Sequence, residues 1–594
     1  MSEQQVAERS DEIVQILGEI AEKSQRIVHD FVERQVAADP PARSADPLNV
    51  SEAFVELTQR LMTNPAHIVE AQFSLWQDYM RLWQATAQKM LGQDTMPIVR
   101  PERGDRRFKD PAWEENALFD YIKQSYLLTS RWLLSTVSDV DGFDERTRQK
   151  IDFYTRQYVD AIAPTNFIVT NPEVLKATVD TRGENLLRGL RNMLEDLDRG
   201  RGKLRVKMTD LEAFEVGKNV ATTPGKVVYQ NELMQLLQYE PTTKQVHQRP
   251  LLIIPPWINK FYILDLQPKN SFIKFCSDQG FTTFVISWIN PDASHADMSF
   301  EDYMVHGPLA ALDAMTEATG EAESTVIGYC IGGTLLGATL AYMAATNDRR
   351  IKAATFFTTL LDFTEPGDLA VFIDEEQLQH IESSMAQRGY LEGAEMANTF
   401  NLLRANDLVW SFVINNYLLG KDPFPFDLLY WNSDSTRMPR AMHSFYLRKC
   451  YQENKLAQPG GITLKGVPID LTRIRTPAYF LSTREDHIAP WTATYGGYKR
   501  LRGPKRFVLA GSGHIAGVIN PPAAQKYGFW TSDAKPADPE AWLGGAEHRE
   551  GSWWRDWAAW NKEKAGPMVP ARKPGDGELE PIEDAPGSYV QVRA

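Results

Sequence analysis

Thr325-Val326-Ile327-Gly328-Tyr329-Cys330-Ile331-Gly332-Gly333-Thr334 is the stretch that decides the fold. It reads as an apolar strand, a sharp turn and the start of a helix. Glycines stand two residues before and two residues after Cys330. That is the pattern of a nucleophile elbow, with cysteine in the usual serine position. The turn is so tight that both flanking positions must be nearly free of side chain, and Gly328 and Gly332 meet that need. Such an elbow sets Cys330 at a helix N-terminus, where the dipole favours a thiolate. The backbone N–H of Ile331 then points to where an oxyanion would form. A structural cysteine between packing glycines is the competing reading; glycines at both offsets, in strand-to-helix context, weigh against it. The uncharged run Ser324–Asn347 spans 24 residues, long enough to cross a bilayer. Its glycine break favours a buried strand, turn and helix, so no transmembrane segment is expected.

Outward from the elbow, short β-rich runs follow one another from residue 203. They are Lys226–Gln230, Met234–Tyr239, Pro250–Ile254, Thr282–Trp288, Ser324–Tyr329, Lys352–Phe357, Pro477–Ser482 and Arg506–Ala510. Several are near-continuous apolar runs, as in a parallel sheet covered on both faces. Helical stretches such as Phe300–Ala318 and Thr334–Ala345 lie between them, which predicts an α/β domain. About 120 residues separate the sixth and seventh runs, too many for a loop. Residues 364 to about 448 are therefore expected to form an inserted, mostly helical cap. After the seventh run comes Ser482-Thr483-Arg484-Glu485-Asp486-His487, and after the eighth comes Gly511-Ser512-Gly513-His514. Nucleophile, acid, histidine is the chain order of the α/β-hydrolase fold. Both follow the carboxyl end of a strand, where sites in such sheets gather. Asp486 is assigned as orienting carboxylate and His514 as general base to Cys330, with Glu485 and His487 as local competitors. The second oxyanion donor is expected from Ile254-Pro255-Pro256-Trp257-Ile258-Asn259. Proline has no N–H, so Trp257 or Ile258 must supply it.

The first 202 residues read as a separate helical domain. Ile13, Ile16, Leu17, Ile20, Ile27, Val28 and Phe31 recur at helical spacing, and Asp39–Ser44 looks like a linker. Further helices are expected over Ala112–Ser135, Asp144–Ala163 and Glu184–Leu197. Ile68, Val69, Phe73, Trp76, Met80 and Trp83 form an aromatic stripe. Helix packing is the plain reading of this stripe, and contact with an apolar polymer or partner helix the sharper one. The catalytic domain is placed at 203–594, with a tail from about 568 that looks extended or disordered. Trp553, Trp554, Trp557 and Trp560 suggest an apolar contact just before it.

Composition fits a folded soluble protein: 43% apolar, 24% charged and 11% aromatic residues exclude a disordered or fibrous chain. The net charge of −14 argues against nucleic acid as partner. Three cysteines are too few for a disulfide scaffold and suit a reducing, cytoplasmic compartment. No C-x-x-C or Cys/His cluster suggests a metal site. The opening MSEQQVAERSDEIVQ shows no secretory signal. A thiol attacking a thioester yields another thioester of nearly equal free energy. Cysteine in the elbow therefore suits acyl transfer from coenzyme A better than ester hydrolysis.

Several blocks together resemble the polyhydroxyalkanoate synthases. They include Gly328-Tyr-Cys330-Ile-Gly332-Gly333-Thr334, Asp105-Arg-Arg-Phe108-Lys-Asp110-Pro111-Ala-Trp113 and Gln124-Ser-Tyr126-Leu-Leu128. They continue with Pro164-Thr-Asn166-Phe167, Thr170-Asn171-Pro172, Gly183-Glu-Asn185 and Pro255-Pro-Trp-Ile-Asn259-Lys-Phe-Tyr-Ile-Leu-Asp265. Tyr430-Trp431-Asn432-Ser-Asp434 and Gly513-His514-Ile-Ala-Gly517 complete the set. The resemblance implies polymerisation of (R)-3-hydroxyacyl-CoA into polyester with release of coenzyme A. It maps the family's cysteine, aspartate and histidine onto Cys330, Asp486 and His514. It looks most like class I, which implies 3-hydroxybutyryl-CoA as monomer, a homodimer, and work at the surface of polymer granules, with granule-associated proteins as further partners. Coenzyme A is then a leaving group, and no cofactor is expected. The sequence assigns no residues to its phosphates; Arg404 in the cap is a candidate, set against the plain reading of a surface charge. An intracellular polyester depolymerase or thiol hydrolase with the same triad is the first alternative. A non-catalytic granule-coating protein is the second.

Overall fold

The computed structural model describes residues 50–63, 65–102, 105–202 and 204–593. The helix expected over Ile13–Phe31 and the linker Asp39–Ser44 lie outside these residues. The chain forms two compact units.

The first unit runs to Asp210 and includes Phe400–Phe424. Its main helices are α1 (Val50–Thr63), α2 (Pro65–Met90), α3 (Ala117–Ser138), α4 (Glu145–Ala161), α5 (Pro172–Asp180) and α6 (Glu184–Arg199). Short polar side chains start them: Asn116, Asp144 and Asn171 accept the first free N–H groups of α3, α4 and α5. Arg107 links Asp105 and Asp160 and donates to the Tyr126 hydroxyl at 2.8 Å. Several polar residues of the helical blocks thus hold structure rather than chemistry.

The domain boundaries differ from those expected. The break falls after Asp210 rather than at residue 202, and part of the expected cap, Phe400–Phe424, packs with the helical unit. Close backbone approach explains this. A Cβ on Gly189 of α6 would lie 1.8 Å from the Tyr417 carbonyl oxygen, so only glycine admits this strand of chain. Tyr417 then donates to Asp196 at 2.6 Å, and Asn185 donates to the Leu418 carbonyl at 2.7 Å. Among the described residues, helix packing does not cover the aromatic stripe either. Leu82 of α2 is buried, but Phe73, Trp76 and Trp83 are 57, 58 and 62% exposed.

The second unit is built on an eleven-stranded sheet. Its strands are β1 (Gly225–Gln230), β2 (Met234–Tyr239), β3 (Leu251–Ile254), β4 (Thr283–Trp288), β5 (Ser324–Tyr329) and β6 (Ile351–Phe357). They continue as β7 (Ala478–Thr483), β8 (Lys505–Ala510), β9 (Phe529–Thr531), β10 (Glu547–Arg549) and β11 (Glu583–Asp584). The order across the sheet is β10-β9-β8-β7-β6-β5-β3-β4-β2-β1-β11. The six strands from β8 to β4 are parallel, and the flanking ones antiparallel. All eight runs expected from sequence are strands of this sheet. Alternate residues of β3 enter two separate cores, Leu252 and Ile254 one and Leu251 and Ile253 the other. The sheet is therefore covered on both faces, which is why its central strands carry no polar alternation. The uncharged run becomes β5 and the buried helix α7 (Ile331–Thr346). Among the described residues no helix is long and apolar enough to cross a membrane.

The C-terminal segment is extended, as expected, but ordered. Met568–Pro570 pairs with Gln245–His247, and β11 adds to the sheet edge at β1. The tryptophans before it pack inward. Trp553, Trp554 and Trp557 surround Phe272 and are fully buried. Their ring N–H groups donate to Gly517, Val518 and Thr355 at 2.8, 2.9 and 3.0 Å. Trp557→Ala should therefore cost about 3–5 kcal/mol of stability. Denaturant unfolding checks this; a loss under 1 kcal/mol would remove Trp557 from the core.

Candidate active site

The elbow is strained where chemistry is expected. Cys330 sits between β5 and α7 at φ 54°, ψ −123°, a backbone conformation that side chains rarely adopt. Its N–H donates to the Phe357 carbonyl at 2.9 Å, which pins the turn to β6. A Cβ on Gly328 would meet the Gly333 Cα at 2.5 Å, and one on Gly332 would meet the Ile254 carbonyl oxygen at 2.3 Å. The flanking glycines are thus required by the turn itself and by the loop after β3. Ile331 is the first residue of α7, so no carbonyl of its own helix can accept its N–H.

His514 and Asp486 meet at the carboxyl ends of β8 and β7. His514 Nδ1 lies 2.7 Å from Asp486 Oδ2, and both side chains are buried. The other carboxylate oxygen, Oδ1, accepts the N–H groups of Ile488 and Ala489, each at 2.9 Å. Thr483 adds a hydroxyl at 3.3 Å. Four contacts hold this carboxylate in one orientation and place the imidazole proton on Nδ1. Burial disfavours the imidazolium, but the Asp486 charge and the charge and hydrogen bond of Cys330 outweigh it. The His514 pKa is pushed up to about 10. The three assigned residues are thus brought together. Of the competitors, Glu485 is exposed and His487 half-buried, whereas Asp486 and His514 are buried. Arg404 is exposed in the first unit and pairs with Asp407.

This shift makes stability depend on pH. The unfolded histidine titrates near 6.5, so the stabilisation is complete below about pH 6.5 and is lost as pH rises through about 10. The stability gap between wild type and His514→Gln should be widest at pH 6 and nearly closed at pH 10.5. Urea unfolding at both values tests the sign; a gap that widens with pH would contradict it.

The loop after β3 lies against the elbow through the Ile254 and Pro255 carbonyls. Thr436 Oγ1 donates to the carbonyls of Trp257 and Ile258 at 2.5 and 2.7 Å. In a trans peptide C=O and N–H point oppositely, so the Ile258 N–H is turned away from Thr436. Sequence reasoning missed Thr436, although it stands two residues past the Tyr430–Asp434 block. It also missed Tyr329, whose hydroxyl donates to the His514 carbonyl at 3.2 Å. It missed Tyr446 and Tyr451 as well. Burial pushes both phenols above their usual range, and nearby negative charge on Cys330 adds to it, so both stay neutral donors beside the nucleophile. Nothing in the inserted segment's periodicity marks them. Of the other cysteines, Cys276 and Cys450 are fully buried, and burial alone pushes their thiols up. Among the described residues no cluster of His, Cys, Asp or Glu could hold a metal ion.

Residues 104–276 match the family model described as the poly-beta-hydroxybutyrate polymerase (PhaC) N-terminus, and residues 249–521 match the α/β hydrolase fold. A poly(3-hydroxyalkanoate) polymerase of Methylorubrum extorquens is 51% identical over 92% of this chain and 90% of its own length. The polymerase subunit PhaC of Rhizobium meliloti is 50% identical over 93% of this chain and 90% of its own. That of Cupriavidus necator is 45% identical over 89% of each. With relatives this similar over nearly its whole length, the chain belongs to the poly(3-hydroxyalkanoate) polymerase family.

Proposed function

We propose that the chain polymerises (R)-3-hydroxyacyl-CoA, with 3-hydroxybutyryl-CoA as monomer, through an acyl-thioester on Cys330. The observation that carries this is a strained elbow cysteine facing a buried His514–Asp486 pair. The Cys330 thiolate attacks the thioester carbonyl, and the oxyanion is met by the Ile331 N–H and by Trp257 or Ile258. The carbon–sulfur bond to coenzyme A breaks, and His514 gives its proton to the departing thiolate. A 3-hydroxyl group then attacks the Cys330 thioester, giving up its proton to His514. An ester forms and the Cys330 thiolate is released. Coenzyme A enters only as part of the substrate, and no cofactor takes part.

The finer assignment is class I: a cytoplasmic homodimer working at the granule surface, alone or with granule-associated proteins. The exposed stripe of Phe73, Trp76 and Trp83 supports contact with an apolar surface. The names of the relatives favour a polymerase over a depolymerase, a thiol hydrolase or a non-catalytic granule coat. Incubating the purified chain with (R)-3-hydroxybutyryl-CoA and following thiol and polymer together tests the reading. Thiol release with insoluble polyester is expected. Thiol release with free hydroxyacid alone would establish the hydrolase instead.

A further inference from the structure

Lys260 follows the Pro255–Asn259 loop and is 2% exposed. A buried ammonium is costly unless it is hydrogen-bonded, and burial pulls its pKa down while the Asp434 charge works the other way. Its ammonium donates to the Val592 carbonyl, which also accepts Asn290 Nδ2 at 3.3 Å. Its own carbonyl accepts the Trp431 ring N–H at 2.7 Å. The residue is therefore held at both ends, and the reaction above makes no use of its charge.

The acceptor is presented by an anchored strap. After β11, Tyr589 donates its N–H to Gln235 at 3.0 Å and its hydroxyl to the Asn231 carbonyl at 2.7 Å. Arg593 then closes on the Tyr430 hydroxyl. Upstream of Lys260, Thr436 holds the carbonyls of Trp257 and Ile258. The loop is clamped in the middle by Thr436 and at its exit by Lys260. Its entry is pressed on the elbow at Gly332.

We propose that Lys260 is a positioning residue: by gripping the C-terminal strap it holds the loop 255–260 against the elbow, with its N–H groups aimed at the oxyanion. This rests on the reading that the loop supplies the second oxyanion donor. Lysine suits the task because a long flexible stem delivers a compact donor to a single carbonyl. Methionine has similar length and no donor.

The test compares two reactions of Cys330. Alkylation by iodoacetamide needs the thiolate but no oxyanion site, whereas acylation by (R)-3-hydroxybutyryl-CoA needs both. Cys276 and Cys450 are buried, so alkylation of the folded chain reads Cys330. In Lys260→Met, acylation should fall about 10²-fold, the scale of losing one oxyanion donor. Alkylation should stay within about twofold, and Lys260→Arg should recover most of the acylation rate. Removing residues 592–594, which leaves Lys260 in place without its acceptor, should reproduce the methionine pattern. Unchanged acylation in both, or acylation and alkylation falling together, would overturn the proposal. Wild type that alkylates but never acylates would overturn the proposed function, and this inference with it.

Discussion

Cys330→Ala should abolish coenzyme A release, with turnover falling by about 10⁵-fold or more, the scale seen when a covalent nucleophile is removed. No other described cysteine can substitute, since Cys276 and Cys450 are fully buried with their thiols pushed up. The fold should survive. The positive φ at residue 330 belongs to the backbone and is as strained with alanine as with cysteine. One small, half-buried side chain is lost beside glycines, so stability should change by about 1 kcal/mol or less. Cys330→Ser should keep the shape and lose most activity, because a hydroxyl needs stronger activation than a thiol. Thiol release and denaturant unfolding on the same preparations separate the two effects. A Cys330→Ala protein that still releases coenzyme A would leave only the fold standing.

His514→Gln should cost less but still about 10³- to 10⁴-fold. The imidazole both receives and returns the proton, and its raised pKa shows how strongly Asp486 and Cys330 favour the charged ring. Asp486→Asn should be milder, because Thr483, Ile488 and Ala489 still hold the loop and a thiolate can form without a fixed imidazole. The contrast appears in single-turnover acylation. Equal losses in both variants would mean that the carboxylate takes part beyond orientation.

The parallel core was legible because its strands carry near-continuous apolar runs bounded by turn residues. The elbow was legible because its glycine spacing is local in sequence, although only the demand on Gly328 is met locally, at Gly333, and that on Gly332 comes from the distant Ile254 carbonyl. His514 and Asp486 were found from chain order, and burial then separates Asp486 from Glu485. What sequence did not reveal depends on distant partners. Strands β9, β10 and β11 have three, three and two residues, too short for a periodicity signal. The Phe400–Phe424 segment joins the helical unit through distant contacts, among them the close approach at Gly189, which looks like any helical glycine, and the Tyr417–Asp196 and Asn185–Leu418 bonds. Thr436, Tyr446 and Lys260 act through contacts made across long loops, and no local spacing marks them. The tryptophans near the C-terminus were read correctly as apolar contacts, but partners such as Phe272 and Thr355 lie far upstream.

The central claim is that Cys330 carries the acyl group. Intact mass of the chain within the first turnovers of (R)-3-hydroxybutyryl-CoA tests it most directly, with peptide mapping to place the adduct. The account predicts one hydroxybutyryl increment, extending to oligomers, on Cys330 and on no other residue, absent from Cys330→Ala and delayed in His514→Gln. Sustained coenzyme A release from wild type whose Cys330 stays unmodified throughout would contradict it.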